Sequence, residues 1–350
     1  MRNLLVAADG TWNKPDQRDR GRNVPTNVVR FVRAVDEDNE SPKQLKYYET
    51  GVGTAQIWNK FRGGIAGHGL FKNMRDAYAW ILRHHRPDDR LYLVGFSRGA
   101  FTARSLAGLL GLCGIPEGAD DPDRVAIEAA RIYRDPDEDA RRTQAAAFRR
   151  THACKPGTVQ FIGVWDTVGA LGLPTRGPLG YFLRNRHSFH DVQLGANVRH
   201  ACHAVAIHER RAPFEPTLWR GEKAEATETV VQAWFPDVHS NIRGGYVDTG
   251  LSDRALDWMI AHARDAGLVF NQAYLDRRID PNWFGELRDS MSVIYRTPLT
   301  GLPRYRAIGT GALNERLHIS AIRRYASASR PEEPPENLDS VDLPVDDTRL

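Results

Sequence analysis

The chain has 350 residues with 41% hydrophobic and 26% charged residues, an ordinary globular composition with enough apolar material for a sizeable core. The net charge is only +4 and the basic residues are scattered, so a nucleic-acid partner is not expected. Three widely spaced cysteines indicate reduced thiols and exclude a disulfide framework.

Membrane and targeting signals are absent from the sequence pattern. No stretch approaches eighteen uninterrupted apolar residues, so we expect no transmembrane segment, although peripheral contact with a membrane stays open. The first residues lack the charged, apolar and cleavage regions of a signal peptide. We therefore expect a cytoplasmic location, or export by a route without a signal peptide.

Five short apolar runs without alternation predict strands that are buried on both faces. They span residues 4–8, 45–48, 91–94, 159–165 and 230–235. Stretches with helical periodicity separate several of them, as in "LFKNMRDAYAWIL" and "SDRALDWMIAHARDAG". This alternation predicts an α/β fold with a doubly wound, mostly parallel sheet.

We expect one domain over residues 1–326, with two insertions. Residues 115–155 are Arg/Glu/Ala-rich and predict a helical insertion, and residues 172–195 are rich in Gly, Pro and aromatics and predict a loop insertion. The acidic, Pro-rich residues 327–350 are predicted to be a disordered tail. The segment "RHACHAVAIHERR" favours a packed helix over a metal site, since no carboxylate completes a known ligand pattern. We expect no metal and no cofactor.

The segment "LYLVGFSRGAFTARSLAGLLG" predicts a nucleophilic serine. Gly95 to Gly99 match the G-x-S-x-G pattern, and the pattern lies between an apolar strand and a helix of small residues. That context is the setting of a nucleophile elbow, which holds Ser97 above the sheet. The backbone amide of Arg98, at the helix N-terminus, would then face a developing oxyanion.

A nucleophilic serine needs a base and an acid that orients the base. Asp166 ends the fourth apolar run and His239 follows the fifth, which gives the chain order Ser, Asp, His. Asp237 and Asp248 are rival acids, but Asp237 is awkwardly close to His239 in sequence. Asp248 lies in an Asp-Thr-Gly without the second such motif that an aspartic protease needs.

The first strand ends in "LLVAADGTWN", which raises an alternative. Asp9 could be the nucleophile of an aspartyl phosphatase, but the second carboxylate that such sites use two residues away is missing. We therefore expect Asp9 to brace its loop, with Gly10 and Thr11 lining the oxyanion hole opposite Arg98.

Several segments in the same order resemble one family: "ADGTWN", "YYETGVGT", "GFSRGAFTAR", "GVWDTVGALG", "HAVAIHERRAPFEP" and "WFPDVHSNIRGGYVDTGLSDRALDWM". This is the uncharacterised α/β-hydrolase domain family that includes the type VI secretion phospholipase effectors, and the resemblance covers roughly residues 2–260. It implies an α/β-hydrolase fold and a lipase-like mechanism, with the nucleophile at Ser97, the acid at Asp166 and the base at His239. Where members tend to read "HSDVGGGY", this chain reads "HSNIRGGY", which places Asn241 and Arg243 beside the proposed base.

The sequence thus predicts a serine esterase or lipase that cleaves carboxylic esters, with a lipid, phospholipid or other acyl ester as substrate. One alternative is a non-catalytic binding protein that keeps the α/β-hydrolase fold, motivated by Arg243. The Asp9 phosphatase is the other. The resemblance also leaves open a cognate inhibitor protein of the immunity type.

Overall fold

The computed structural model describes residues 1–10, 16–51, 66–168, 193–291, 303–327 and 332–348. Its strands are β1 (Arg2–Ala8), β2 (Arg18–Asp19), β3 (Arg22–Asn23), β4 (Lys43–Glu49), β5 (Arg90–Phe96), β6 (Val159–Trp165), β7 (Val198–Ala206), β8 (Thr229–Phe235), β9 (Glu315–His318) and β10 (Val345–Asp346). Its α-helices are α1 (Asn27–Ala34), α2 (Ala66–His84), α3 (Arg98–Cys113), α4 (Pro122–Tyr133), α5 (Glu138–Thr151), α6 (His239–Ile242), α7 (Gly250–Asp265), α8 (Gln272–Arg278) and α9 (Ile319–Tyr325).

Eight of these strands form one parallel sheet in the order β10-β9-β8-β7-β6-β5-β1-β4. From β1 the chain moves outward to β4 and then returns past β1 to β5, so the direction of winding reverses between β1 and β5. Ligands of open α/β sheets bind at the carboxyl ends of the strands beside such a switch point. The loop after β1 and the turn after β5 meet at this position.

Helices cover both faces of the sheet because the central strands are apolar on both faces. Leu4 and Val6 of β1 pack with α2, α3, α4 and α5 on one face. Leu5 and Ala7 pack with α1, α7 and α8 on the other face. The chain therefore has an α/β-hydrolase-like fold, which confirms the fold class predicted from the sequence.

The segment that includes "RHACHAVA" differs from the sequence prediction of a helix, because it forms strand β7. It pairs along its length with β6 on one side and β8 on the other. Its alanines are weak strand formers, and burial between two parallel neighbours overrides their local preference. His200 and His203 therefore point to opposite faces of the sheet and not along one helix face.

The C-terminal tail also differs from the prediction of disorder. Residues 332–348 are described, and within them β10 pairs in parallel with β9. Leu338 and Leu343 pack against a small apolar cluster that includes Val205 and Ile207. Asp346 accepts a hydrogen bond from the indole of buried Trp258 at 3.3 Å. A few well-placed apolar residues thus dock a segment whose overall composition is polar.

The predicted helical insertion contains α4 and α5, which pack on the same face as α3. Most of the predicted loop insertion, residues 172–192, lies outside the described residues. Within the described chain, no helix has both the length and the apolar character required to cross a bilayer.

Candidate active site

The turn after β5 holds Ser97 in a strained conformation. Its φ is 55° and its ψ is −116°, a region that L-residues occupy only when the surroundings enforce it. The Ser97 N–H donates to the Trp165 carbonyl at 3.0 Å. Glycine is required at position 95, since a Cβ there would lie 2.4 Å from the Gly99 carbonyl oxygen. These contacts give the turn between β5 and α3 the strained geometry that a nucleophile elbow requires.

The imidazole of His239 lies between Ser97 and Asp166, although Ser97 and His239 are 142 residues apart in sequence. Ser97 Oγ is 3.0 Å from Nε2, and Asp166 Oδ2 is 2.5 Å from Nδ1. The rings of Phe96 and Phe214 pack on the imidazole, each with its centroid 4.8 Å away. This geometry suits a histidine that donates from Nδ1 to the carboxylate and accepts at Nε2 from the serine hydroxyl.

Asp166 is fully buried and its carboxylate is surrounded by donors. It follows β6 with a φ of 42°, and its Oδ1 accepts from the Ala206 N–H at 3.0 Å. The guanidinium of Arg306 donates to both carboxylate oxygens, at 2.6 and 2.8 Å. Burial alone would raise the pKa of Asp166, but Arg306 and His239 outweigh it and hold this pKa well below the usual range. Asp166 is therefore ionised.

Sequence reasoning missed Arg306. It lies in "PRYRAIGTG", which carries no catalytic motif, and it reaches Asp166 across 140 residues of chain. No local pattern could have found it.

A second buried carboxylate, Glu209, forms a hydrogen bond with the backbone of His239. Glu209 Oε2 accepts from the His239 N–H at 3.2 Å. The guanidinium of Arg211 pairs with both Glu209 oxygens at 2.9 and 2.8 Å. Burial lowers the pKa of His239 more than Asp166 and Glu209 raise it, so the imidazole is neutral at pH 7, as a general base would need to be. The sequence flagged the segment around Glu209 through its family resemblance and as a disfavoured metal site, and neither pointed to a role beside His239.

The two rival acids, Asp237 and Asp248, form their hydrogen bonds with other groups. Asp237 accepts from the Val238 N–H at 2.8 Å, and burial raises its pKa well above the ordinary value, which disfavours its charged form. Asp248 accepts from the Gly250 N–H at 3.1 Å at the start of α7. Among the hydrogen bonds of the described residues, neither carboxylate reaches His239.

Asp9 follows β1 and accepts hydrogen bonds from at least three groups of the described residues. The donors are Gly10 N–H at 2.8 Å, Thr26 Oγ1 at 2.5 Å and Tyr48 Oη at 3.0 Å. Asp9 is buried, and Thr26 also caps α1, so the carboxylate ties β1, β4 and α1 together. These contacts fit the bracing role and leave the carboxylate poorly placed to attack a substrate.

The three residues predicted to form the oxyanion hole, Arg98, Gly10 and Thr11, differ in their surroundings. Arg98 begins α3 directly after Ser97, so its amide lies at a helix N-terminus beside the nucleophile. The Gly10 N–H donates to the Asp9 carboxylate. Thr11 lies outside the described residues.

Asn241 and Arg243 lie on the segment that carries His239. Asn241 is buried and donates to the Glu286 carbonyl at 3.4 Å. Arg243 donates to the Ser240 carbonyl at 3.1 Å, and its guanidinium lies 5.8 Å from the ring centroid of Phe96, the ring that packs on His239. Both residues therefore flank the histidine from its own segment.

His203 of β7 anchors the loop that follows Asp166. Its Nε2 accepts from the Thr167 N–H at 3.0 Å, and its other nitrogen faces Gln232 Oε1 at 3.3 Å. Burial lowers the pKa of His203 to about 3, so it is neutral. In the part of the chain that the structure describes, no group of three or more His, Cys, Asp or Glu side chains could hold a metal ion.

Residues 2–262 match the family of type VI secretion (T6SS) phospholipase effectors described as Tle1-like, over its catalytic domain. The match covers well over half of the chain. The protein therefore belongs to this family.

Other comparisons give more distant similarity. An uncharacterized protein of Saccharomyces cerevisiae is 26% identical over 237 residues, which are 61% of this chain and 32% of that protein. The chain thus spans about a third of the length of that curated relative. An uncharacterized protein from Pseudomonas aeruginosa has a crystal structure with a TM-score of 0.46 and 21% identity, covering 77% of this chain and 46% of that one. The Tle1 effector bound to the VgrG spike of the type 6 secretion system gives a TM-score of 0.35 and 16% identity, covering 71% and 52%.

Proposed function

We propose that the protein is a serine hydrolase that cleaves acyl ester bonds of lipids, with phospholipids as the substrate class. The observation that carries the proposal is the continuous hydrogen-bonded series from Ser97 Oγ through His239 to Asp166, with the serine on a strained elbow. Membership of the phospholipase effector family supports the lipid substrate.

The proposed reaction has two halves. His239 Nε2 takes the Ser97 proton as Oγ attacks the acyl carbonyl carbon, while ionised Asp166 stabilises the imidazolium that forms. The oxyanion faces the backbone amide of Arg98, and Thr11 remains the predicted second donor. Collapse of this intermediate breaks the ester bond, and the leaving alkoxide takes the proton from His239. Water, deprotonated by His239, then attacks the acyl-enzyme and releases a fatty acid and free Ser97.

Family membership also supports delivery as an effector and neutralisation by an immunity-type inhibitor. Both stand as proposals, as does export without a signal peptide. Co-purification with a protein encoded beside it would test the inhibitor.

A fluorophosphonate probe tests the proposed nucleophile, and fatty-acid release from phospholipid vesicles tests the substrate. We expect labelling and release by the wild type, and loss of both in Ser97→Ala. Ser41→Ala is the control, because Ser41 is exposed and lies just before β4. It is therefore at the amino end of a parallel strand, whereas Ser97 follows the carboxyl end of β5. A folded wild-type protein that is neither labelled nor active would support the non-catalytic alternative instead.

A further inference from the structure

Arg306 lies outside residues 2–262, the part of the chain that matches the catalytic-domain family, yet it contacts the candidate acid directly. We propose that the C-terminal segment completes the active site: Arg306 is a positioning residue that fixes the Asp166 carboxylate against His239 and sets the pH range in which His239 acts as the base. The proposal rests on the function proposed above.

The guanidinium geometry is that of a fixed clamp. Its two terminal nitrogens donate to separate oxygens of Asp166, at 2.6 and 2.8 Å. They also donate to the carbonyl of Ala206, at 2.8 Å, and to the carbonyl of Phe214. Because Arg306 is 2% exposed, it cannot contact a substrate and must act through Asp166. Bidentate pairing fixes the plane of a carboxylate as well as its position.

The charge of Arg306 acts on His239 through a shared atom. Asp166 Oδ2 accepts from both His239 Nδ1 and Arg306. The same carboxylate oxygen therefore interacts with the imidazole ring and with a permanent cation. A proton added to His239 would place a second cation beside Arg306, which disfavours the imidazolium.

Other charged groups face His239 as well. Glu209 accepts from the His239 backbone N–H, and Arg211 forms an ion pair with Glu209. Arg243 lies beyond Phe96. Arg211 shares an acceptor only with the His239 backbone N–H, whereas Arg306 shares Asp166 Oδ2 with the titrating ring, so removal of Arg306 should shift the titration of His239 the most.

The docked tail holds Arg306 in place. Asn337 Nδ2 donates to the Arg306 carbonyl at 3.1 Å and to the Ile207 carbonyl at 3.0 Å. This amide ties the segment that carries Arg306 to the chain just after β7. A continuous set of contacts therefore runs from the tail through Arg306 to Asp166 and His239.

Two substitutions separate the charge from the geometry. Arg306→Lys keeps the charge but loses bidentate pairing, so we expect kcat to fall about tenfold with KM unchanged and the acidic limb of the pH–rate profile in place. Arg306→Met removes the charge, so we expect the acidic limb to move up by about one pH unit as well. Rates are measured with a water-soluble short-chain ester and with the fluorophosphonate probe.

Arg30→Lys is the matched control. Arg30 forms a similarly buried ion pair with Asp253, between α1 and α7, and neither residue contacts Asp166 in the described hydrogen bonds. We expect it to lower stability without a change in the pH–rate profile or in kcat per labelled serine.

The outcomes are distinguishable. A wild type that is not labelled overturns the proposed function itself. A labelled, active wild type whose Arg306→Met variant keeps both kcat and the acidic limb overturns the role of Arg306. If both Arg306 variants fail to fold, Asn337→Ala decides, because it leaves Arg306 present but removes the hydrogen bond from the tail to the Arg306 carbonyl: a several-fold lower kcat at unchanged KM supports the proposal, and an unchanged kcat overturns it.

Discussion

Gly99 of α3 lies against the carbonyl of Ala8 at the end of β1. A Cβ at position 99 would be 2.1 Å from that oxygen and 2.6 Å from the carbonyl oxygen of Asp9. Helix α3, which follows Ser97, therefore packs directly against the backbone at the end of β1. This approach brings the loop after β1 beside Ser97.

Gly99→Ala should disrupt the elbow, because the obstructing atoms belong to the backbone and cannot rotate away. We expect a loss of about 1–3 kcal/mol or more in the free energy of unfolding, with loss of labelling at Ser97. Urea denaturation measures the first. Gly108→Ala, in the same helix, is the control, since the atoms nearest to its Cβ belong to the ring and hydroxyl of the Tyr133 side chain and not to the backbone. Equal effects of the two substitutions would contradict the backbone argument.

Asp166→Asn should lower kcat by roughly a thousandfold or more, because the base loses its orienting carboxylate. It should also destabilise the fold by about 3–5 kcal/mol, since buried Arg306 would be left without its counter-ion. Asp237→Asn is the matched control. Asp237 is nearly as deeply buried, but its burial raises the pKa and disfavours the charged form, so we expect the uncharged amide to replace it with little effect on kcat. Steady-state kinetics on both variants would settle which carboxylate assists His239.

The activity should be constant around pH 7 and fall in acid. The pKa of His239 is lowered, so the ring stays neutral at pH 7 and is protonated only below the ordinary histidine value of about 6.5. Protonation removes the base, so kcat/KM should fall tenfold per pH unit below the pKa of His239. A pH–rate profile with its acidic midpoint at or above pH 7 would contradict this environment for His239.

Folding stability should also decrease in acid because of two other buried histidines. Burial lowers the pKa of His203 and of His208 to about 3, whereas both protonate near 6.5 in the unfolded chain. The unfolded state binds more protons below pH 6.5, so the free energy of unfolding falls from about pH 6.5 towards pH 3. Each ring adds a slope of up to about 1.4 kcal/mol per pH unit. Urea titrations of the wild type and His208→Asn should differ by one such slope, and identical slopes would refute the assignment.

Asp9→Asn should leave labelling of Ser97 intact if Asp9 is a brace. The amide still accepts hydrogen bonds through its oxygen but loses charge-assisted contacts to Thr26 and Tyr48, so we expect a loss of about 1–3 kcal/mol in stability. A fluorophosphonate assay and thermal denaturation give the two readouts. Formation of a phosphoenzyme that Asp9→Asn abolishes would instead restore the phosphatase alternative.

The sequence predicted the parts of the site that depend on short-range pattern. The spacing of Gly95, Ser97 and Gly99 between an apolar strand and a small-residue helix indicated the elbow, because few local sequences satisfy its steric demands. The positions of Asp166 and His239 directly after strands placed them at one edge of a parallel sheet, where the structure brings them together. The roles assigned to these three residues remain predictions for the experiments above.

Two elements escaped sequence reasoning because long-range burial decided them. Strand β7 has helix-compatible composition, and its state is set by pairing with β6 and β8. The tail has the composition of a disordered segment, and Leu338, Leu343 and Asp346 dock it onto surfaces built by distant parts of the chain. Neither surface exists until the sheet has formed.

The sequence by itself therefore determined the class of fold and the chemical groups at the ends of the strands, since hydrophobic period and turn sterics are local properties. The tertiary structure alone decided which charges surround those groups. Arg306 reaches Asp166 from 140 residues away, and Glu209 reaches the backbone of His239 from another loop. Such pairings depend on the path of the whole chain, and the electrostatic state of a buried group follows from its neighbours in space.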